Sequence, residues 1–130
     1  MSQSDSTTHA AAPDLDALVR EWLTIPEVAE RLHVSVSKVR QLLRDGELVA
    51  VPSARDDREA LLVPAAFLDG DHVLRGLGST LTVLHDQGYD AVEAVRWLFT
   101  PDEALDGTPI AALAHGRGRL VRRHAQVLGF

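Results

Sequence analysis

Residues 24–46 read TIPEVAERLHVSVSKVRQLLRDG, and the order of helix start and stop signals in this stretch decides the fold. Thr24 stands where an N-cap is wanted, and Glu27, three residues on, can reach back to its amide. Pro26 sits in the first turn, where a missing N–H costs nothing. The spacing predicts a short helix over 25–32 with Val28, Ala29 and Leu32 facing inward. His33 and Val34 turn the chain. Ser35 then caps a second helix over 36–45, and Gly46 supplies the left-handed residue that ends it.

Working outward, 48–51 and 60–63 are β-prone runs separated by Pro52 and a polar stretch, which predicts a hairpin with an exposed tip. Residues 64–67 return to helix. Helix, turn, helix, hairpin is the order of a winged helix-turn-helix. Upstream, residues 1–14 are rich in Ser, Thr and Ala without apolar periodicity and read as a disordered tail. Leu15, Leu18, Val19 and Trp22 then fall at i, i+3, i+4 and i+7, the stripe of a helix running to about residue 23. Downstream everything reads as helical. A helix over 72–87 carries Val73, Leu74, Leu77, Leu81 and Leu84, and a second over 89–99 carries Ala91, Val92, Val95, Leu98 and Phe99. A turn through Gly107 leads to a short helix from Pro109 to about residue 114, and 117–128 closes the chain. The expected fold class is mainly α with a small β-hairpin wing: a tail over 1–14, a winged helix-turn-helix over 15–69 and a helical domain over 70–130.

The chain has 130 residues, of which 45% are hydrophobic, enough for a real core. It has no cysteine, which excludes disulfides and thiolate metal sites. No apolar run is long enough to span a membrane, and the first residues lack the basic start and apolar stretch of a secretory signal. A cytoplasmic protein is expected. The net charge of −6 argues against a general coat for nucleic acid, because phosphate binding needs positive charge. Only Lys38 among the 13 basic residues is a lysine, a skew that suggests a GC-rich genome. Arg117, Arg119, Arg122 and Arg123 fall in a stretch with no acid. Any nucleic-acid contact must therefore work through a local face.

The second helix of the opening stretch offers such a face. At 100° per residue, Val36, Val39, Leu42 and Leu43 span about 100° of arc and are expected to meet the core. Ser37, Gln41 and Arg44 lie opposite, flanked by Lys38 and Arg40. Hydroxyl, amide, guanidinium and ammonium groups on one helix face can pair with base edges and phosphates in a major groove. The amides following Ser35 can receive a phosphate as well. On the wing, Arg55 and Arg58 can touch DNA backbone or minor groove, although Asp56, Asp57 and Glu59 stand beside them. An exposed helix face is polar in most proteins, so the specificity lies in the ordered set: capped helix, two-residue turn, capped basic helix and hairpin.

Nothing in the sequence forms a catalytic constellation. The six histidines, His9, His33, His72, His85, His115 and His124, lack metal-ligand spacing. Asp102, Glu103 and Asp106 cluster where a helix start accounts for them, and Gly116 with Gly118 has no preceding strand to make a nucleotide loop. We expect no enzyme activity, no cofactor and no metal.

Residues 23–48 resemble the winged helices of excisionases and MerR-type regulators. With the stretches 81–89, 93–100 and 121–130, the chain also resembles a small actinobacterial family of winged-helix DNA-binding proteins, typified by a mycobacterial substrate of serine/threonine protein kinase L. That resemblance covers roughly residues 15–130. It implies a winged helix packed on a C-terminal helical part, double-stranded DNA as partner, and control by phosphorylation of a threonine in the tail, for which Thr7 and Thr8 are the candidates. Residues 97–109 resemble the toxin-contacting region of Xre/MbcA/ParS-type antitoxins; a Trp-Leu core pair followed by a Gly-Thr-Pro turn accounts for the same residues. The expected function is DNA binding, regulatory or architectural, by a nucleoid-associated monomer. The alternative is a protein-interaction or antitoxin-like module on the same scaffold.

Overall fold

The computed structural model describes residues 13–53 and 60–128. The proposed wing contacts Arg55 and Arg58, and the tail threonines Thr7 and Thr8, lie outside the described residues.

The first helix, α1 (Pro13–Leu18), is shorter than its apolar stripe suggests. Leu15 and Val19 are buried as expected, but Trp22 lies on a strand, β1 (Trp22–Thr24). Trp22 keeps contact with α1 through its indole N–H, which donates to Asp16 Oδ1 at 3.0 Å. The helical spacing was overridden by pairing with a distant segment. β1 runs antiparallel to β3 (Ala60–Pro64), with Leu23 opposite Val63. β2 (Val51–Ser53) pairs on the other side of β3, with Val51 opposite Leu62, giving the order β1-β3-β2. The expected first wing strand over 48–51 is therefore displaced: residues 48–50 are not strand, and Pro52 lies within one. β2 is an edge strand, where a proline removes no ladder bond.

Between β1 and β2 come α2 (Ile25–Leu32) and α3 (Val36–Arg44), as expected. After the sheet, Ala65–Phe67 forms one 3-10 turn. The next expectation fails. His72–Val73 is not helical but forms β5, paired with β4 (Leu68–Asp69) in a tight hairpin through Gly70 and Asp71. Gly70 has φ 65°, the turn conformation that a glycine adopts without strain.

The remaining described elements are helices. α4 (Leu77–Asp86) is followed by α5 (Ala91–Phe99), α6 (Pro109–Ala114) and α7 (Gly118–Gln126). α5 begins with its apolar stripe at Ala91, two residues after the expected start at 89, because Asp90 and Glu93 form a reciprocal cap, each side chain accepting from the other's amide at 2.8 and 2.9 Å. Thr108 caps α6 by accepting from the Ala111 amide at 3.1 Å.

The buried residues of both halves form one continuous core. Phe67, at the end of the winged unit, is fully buried, and its ring centroid lies 5.9 Å from that of Phe99 on α5. α1 packs on α5 as well. Fully burying one such aromatic is worth about 2–3 kcal/mol, so this contact ties the winged unit firmly to the helical half. The two halves share a core, and that fixes where α3 stands.

Candidate nucleic-acid interface

α2 is set by the two signals at its ends. Thr24 Oγ1 accepts from the Glu27 amide at 3.3 Å, and Glu27 Oε1 accepts from the Thr24 amide at 2.8 Å. At the other end His33 adopts φ 59°, and the following amide, Val34, donates to Ala29 O at 3.0 Å. That 6→1 bond closes the helix and turns the chain sharply enough for α3 to start two residues later. Ser35 Oγ accepts from the Lys38 amide at 3.0 Å. Ser35 is thus committed to capping, and its place among the DNA-contacting candidates rests on its backbone.

The orientation of α3 follows from its burial. Val39 is fully buried, and Leu42 and Leu43 are partly buried against the core. Ser37, Lys38, Arg40, Gln41 and Arg44 are all exposed. The structure therefore brings these five polar candidates together on the free surface of one helix. Val36 departs from expectation: it is 36% exposed rather than packed. A helical wheel assumes a neighbour along the whole helix, and the first turn of α3 stands clear of the core. Val34, just before it, is 37% exposed. Apolar groups at this end can meet thymine methyl groups in a major groove.

The polar groups are also ordered among themselves. Arg44 Nη2 donates to Gln41 Oε1 at 2.9 Å, and Gln41 Nε2 donates to Asp45 Oδ1 at 3.0 Å. Asp45 was absent from the sequence-based set of site residues. Its i, i+4 spacing from Gln41 was the available signal. The relay fixes the direction of the Gln41 amide, with its oxygen toward a cation and its nitrogen toward an anion.

The exposed histidines do not converge on a site. His124, with a quarter of its side chain exposed, bonds Asp102 at 2.8 Å and stacks beside Trp97. That bond, with the Ala104 amide also donating to Asp102, holds the Asp102 carboxyl below its ordinary value. Among the described residues no group of three or more His, Asp or Glu could hold a metal ion, and no helix is long and apolar enough to cross a membrane.

Residues 11–68 match the family model for the winged helix-turn-helix domain of DNA-binding protein Rv2175c. Residues 74–129 match the model for the Rv2175c C-terminal domain of unknown function. The DNA-binding protein Rv2175c of Mycobacterium tuberculosis is 41% identical over 119 residues, covering 82% of this chain and 79% of that protein. The NMR structure of Rv2175c superposes with a TM-score of 0.74 at 38% identity, over 85% of this chain and 82% of that one. With a capped two-helix reader, a three-stranded wing sheet and a helical half matched in turn, this chain belongs to the Rv2175c family of winged helix-turn-helix proteins.

Proposed function

We propose that this chain binds double-stranded DNA by laying α3 in the major groove, in a regulatory or architectural role. The observation that carries this reading is the outward face of α3, where Ser37, Lys38, Arg40, Gln41 and Arg44 are exposed together on a helix whose first turn stands clear of the core. Gln41 and Arg44 are the base-edge candidates; Lys38 and Arg40 reach phosphate. The family relative is named for DNA binding, which supports the same role here. Arg55 and Arg58 extend the contact along the wing. The protein acts as a monomer, on chromosomal DNA in the cytoplasm, and by binding rather than catalysis.

The test is duplex affinity measured across a salt series. Lys38→Ala with Arg40→Ala lowers the slope of log affinity against log salt by about 2, since each lost phosphate contact removes about 0.9. Retained affinity with the original slope removes α3 from the interface, and absence of binding by the unaltered chain removes the reading altogether. Phosphorylation of Thr7 or Thr8 by a serine/threonine kinase adds about −1.5 to −2 charge each and would repel the DNA backbone. Glu at both positions then weakens binding in the same assay; an unchanged affinity counts against this control.

A further inference from the structure

The starts of α4 and α7 meet. Gly76 and Gly118 come so close that a Cβ on Gly76 would lie 3.7 Å from Gly118 Cα. One turn on, Arg122 Nη1 donates to Ser79 Oγ at 3.4 Å, and at the far ends Gln87 Nε2 donates to Gln126 O at 3.0 Å. Contacts at the start, middle and end in the same order make α4 and α7 a parallel pair. Parallel neighbours place both positive dipole ends at one spot, each equivalent to roughly half a charge, an arrangement that repels itself.

The Glu47 carboxylate lies against Gly78 on the first turn of α4, but the side chains lining the cleft itself add to this charge. A cleft of about 530 Å³ opens there, lined by Arg75, Gly76, Leu113, Gly118, Arg119 and Arg122 among others, with no acid in its wall. Among the described residues none of these three guanidinium groups pairs with a carboxylate. Neither helix has a side-chain cap, whereas α2, α3, α5 and α6 are capped by Thr24, Ser35, Asp90 and Thr108. The glycines leave the backbone bare. A Cβ on Gly118 would lie 3.1 Å from Arg122 Nη1, and one on Gly76 would lie 3.2 Å from Leu113 Cδ2. A concave, acid-free site with three arginine forks has the geometry that recognises a phosphate group.

We propose that this cleft is a phosphate-binding site contributed by the helical half of the chain. The phosphate comes either from the backbone of bound DNA or from a free phosphorylated small molecule. The first source rests on the DNA-binding reading above and the second does not. The cleft adjoins the reader unit, because Glu47, just beyond α3, lies against Gly78 on the first turn of α4.

The experiment uses the full chain with inorganic phosphate as probe, followed through backbone amide signals at constant ionic strength. Gly76 and Gly118 shift and saturate with phosphate and do not with chloride. Arg75→Gln with Arg119→Gln abolishes the saturation while circular dichroism and melting remain those of the unaltered chain. Arg122→Gln is measured separately because of its bond to Ser79. Shifts that never saturate, or that persist in both variants, overturn the site. A duplex salt series then identifies the source. A slope lower by about 2 in Arg75→Gln with Arg119→Gln assigns it to DNA backbone, and an unchanged slope alongside lost phosphate binding assigns it to a free ligand. If the unaltered chain binds no DNA, the function proposed above fails while the phosphate titration still decides the site.

Discussion

Replacing Asp45 with alanine makes the chain bind DNA more tightly. Asp45 ends α3 on the same surface as Lys38, Arg40, Gln41 and Arg44, and its carboxylate accepts from Gln41 Nε2 at 3.0 Å. It brings two costs to a bound duplex. One is Coulombic: a carboxylate about 8 Å from a phosphate costs about 0.5 kcal/mol at the dielectric of water. The other is the exposed hydrogen bond that must break before Gln41 can pair with a base, about 0.5 kcal/mol more. Together they are about 1 kcal/mol, or about fivefold in affinity. Stability does not suffer, because an acid beside the C-terminus of a helix opposes the dipole. Fluorescence anisotropy of a labelled duplex over a salt series reads the outcome. The plot for Asp45→Ala is displaced upward in parallel, since no phosphate contact is gained or lost. Asp45→Asn keeps an acceptor for Gln41 and recovers only the Coulombic part, about twofold. Weaker binding by Asp45→Ala would refute the reasoning, because it would mean that the carboxylate accepts from a base.

Two further outcomes test the fold around the site. Val39→Ala, at a fully buried position, destabilises the chain by about 2 kcal/mol, whereas Val36→Ala costs less than about 0.5 kcal/mol; equal losses in thermal denaturation would place Val36 in the core after all. The His124–Asp102 bond depresses the Asp102 carboxyl, so its stabilisation is complete above the ordinary value of 3.8 and is lost as pH falls through the lower folded value. Asp102→Asn therefore flattens the acid limb of the stability profile, and an identical limb in both proteins would show that the pair contributes nothing.

The parts of this molecule that were legible in the sequence are those fixed by signals a few residues apart. Thr24 with Glu27, Ser35 with the Lys38 amide, and Gly46 with φ 77° each act within one turn, so the boundaries of α2 and α3 could be read directly. Asp90 and Glu93 carried the same kind of signal, and it went unused. Trp22 and His72 failed for a different reason. Each had an acceptable helical spacing, but each found a strand partner, Pro64 and Asp69 respectively, and pairing energy outweighs a weak local preference. Val36 failed because periodicity gives the direction of a side chain and not the extent of the neighbour it faces. The polar face of α3 was legible, yet Asp45 was missed because a list of cations has no place for the anion that orients them. The phosphate cleft was half visible, as an acid-free run from Arg117 to Arg123. Arg75 could join it only once α4 and α7 were known to run parallel.

The net charge of −6 then ceases to be an objection to binding an anion. Several of the 19 acids are committed to structure. Glu27, Asp90 and Glu93 complete helix caps, Asp102 caps the 3-10 turn over Glu103–Leu105 and holds His124, and Glu21 pairs with Arg31 at 3.5 Å. Acids at helix starts are where the dipole favours them, so they settle there regardless of what the protein binds. Of the cations on α3 and in the cleft, Arg44 and Arg122 donate to the neutral groups of Gln41 and Ser79, and among the described residues none pairs with a carboxylate. At physiological salt the screening length is about 8 Å, shorter than the width of the domain, so a duplex on one face feels that face and little of the rest. Bulk acidity and a local basic reader are compatible, since folding sets where the acids lie and binding draws on the cations that folding leaves exposed.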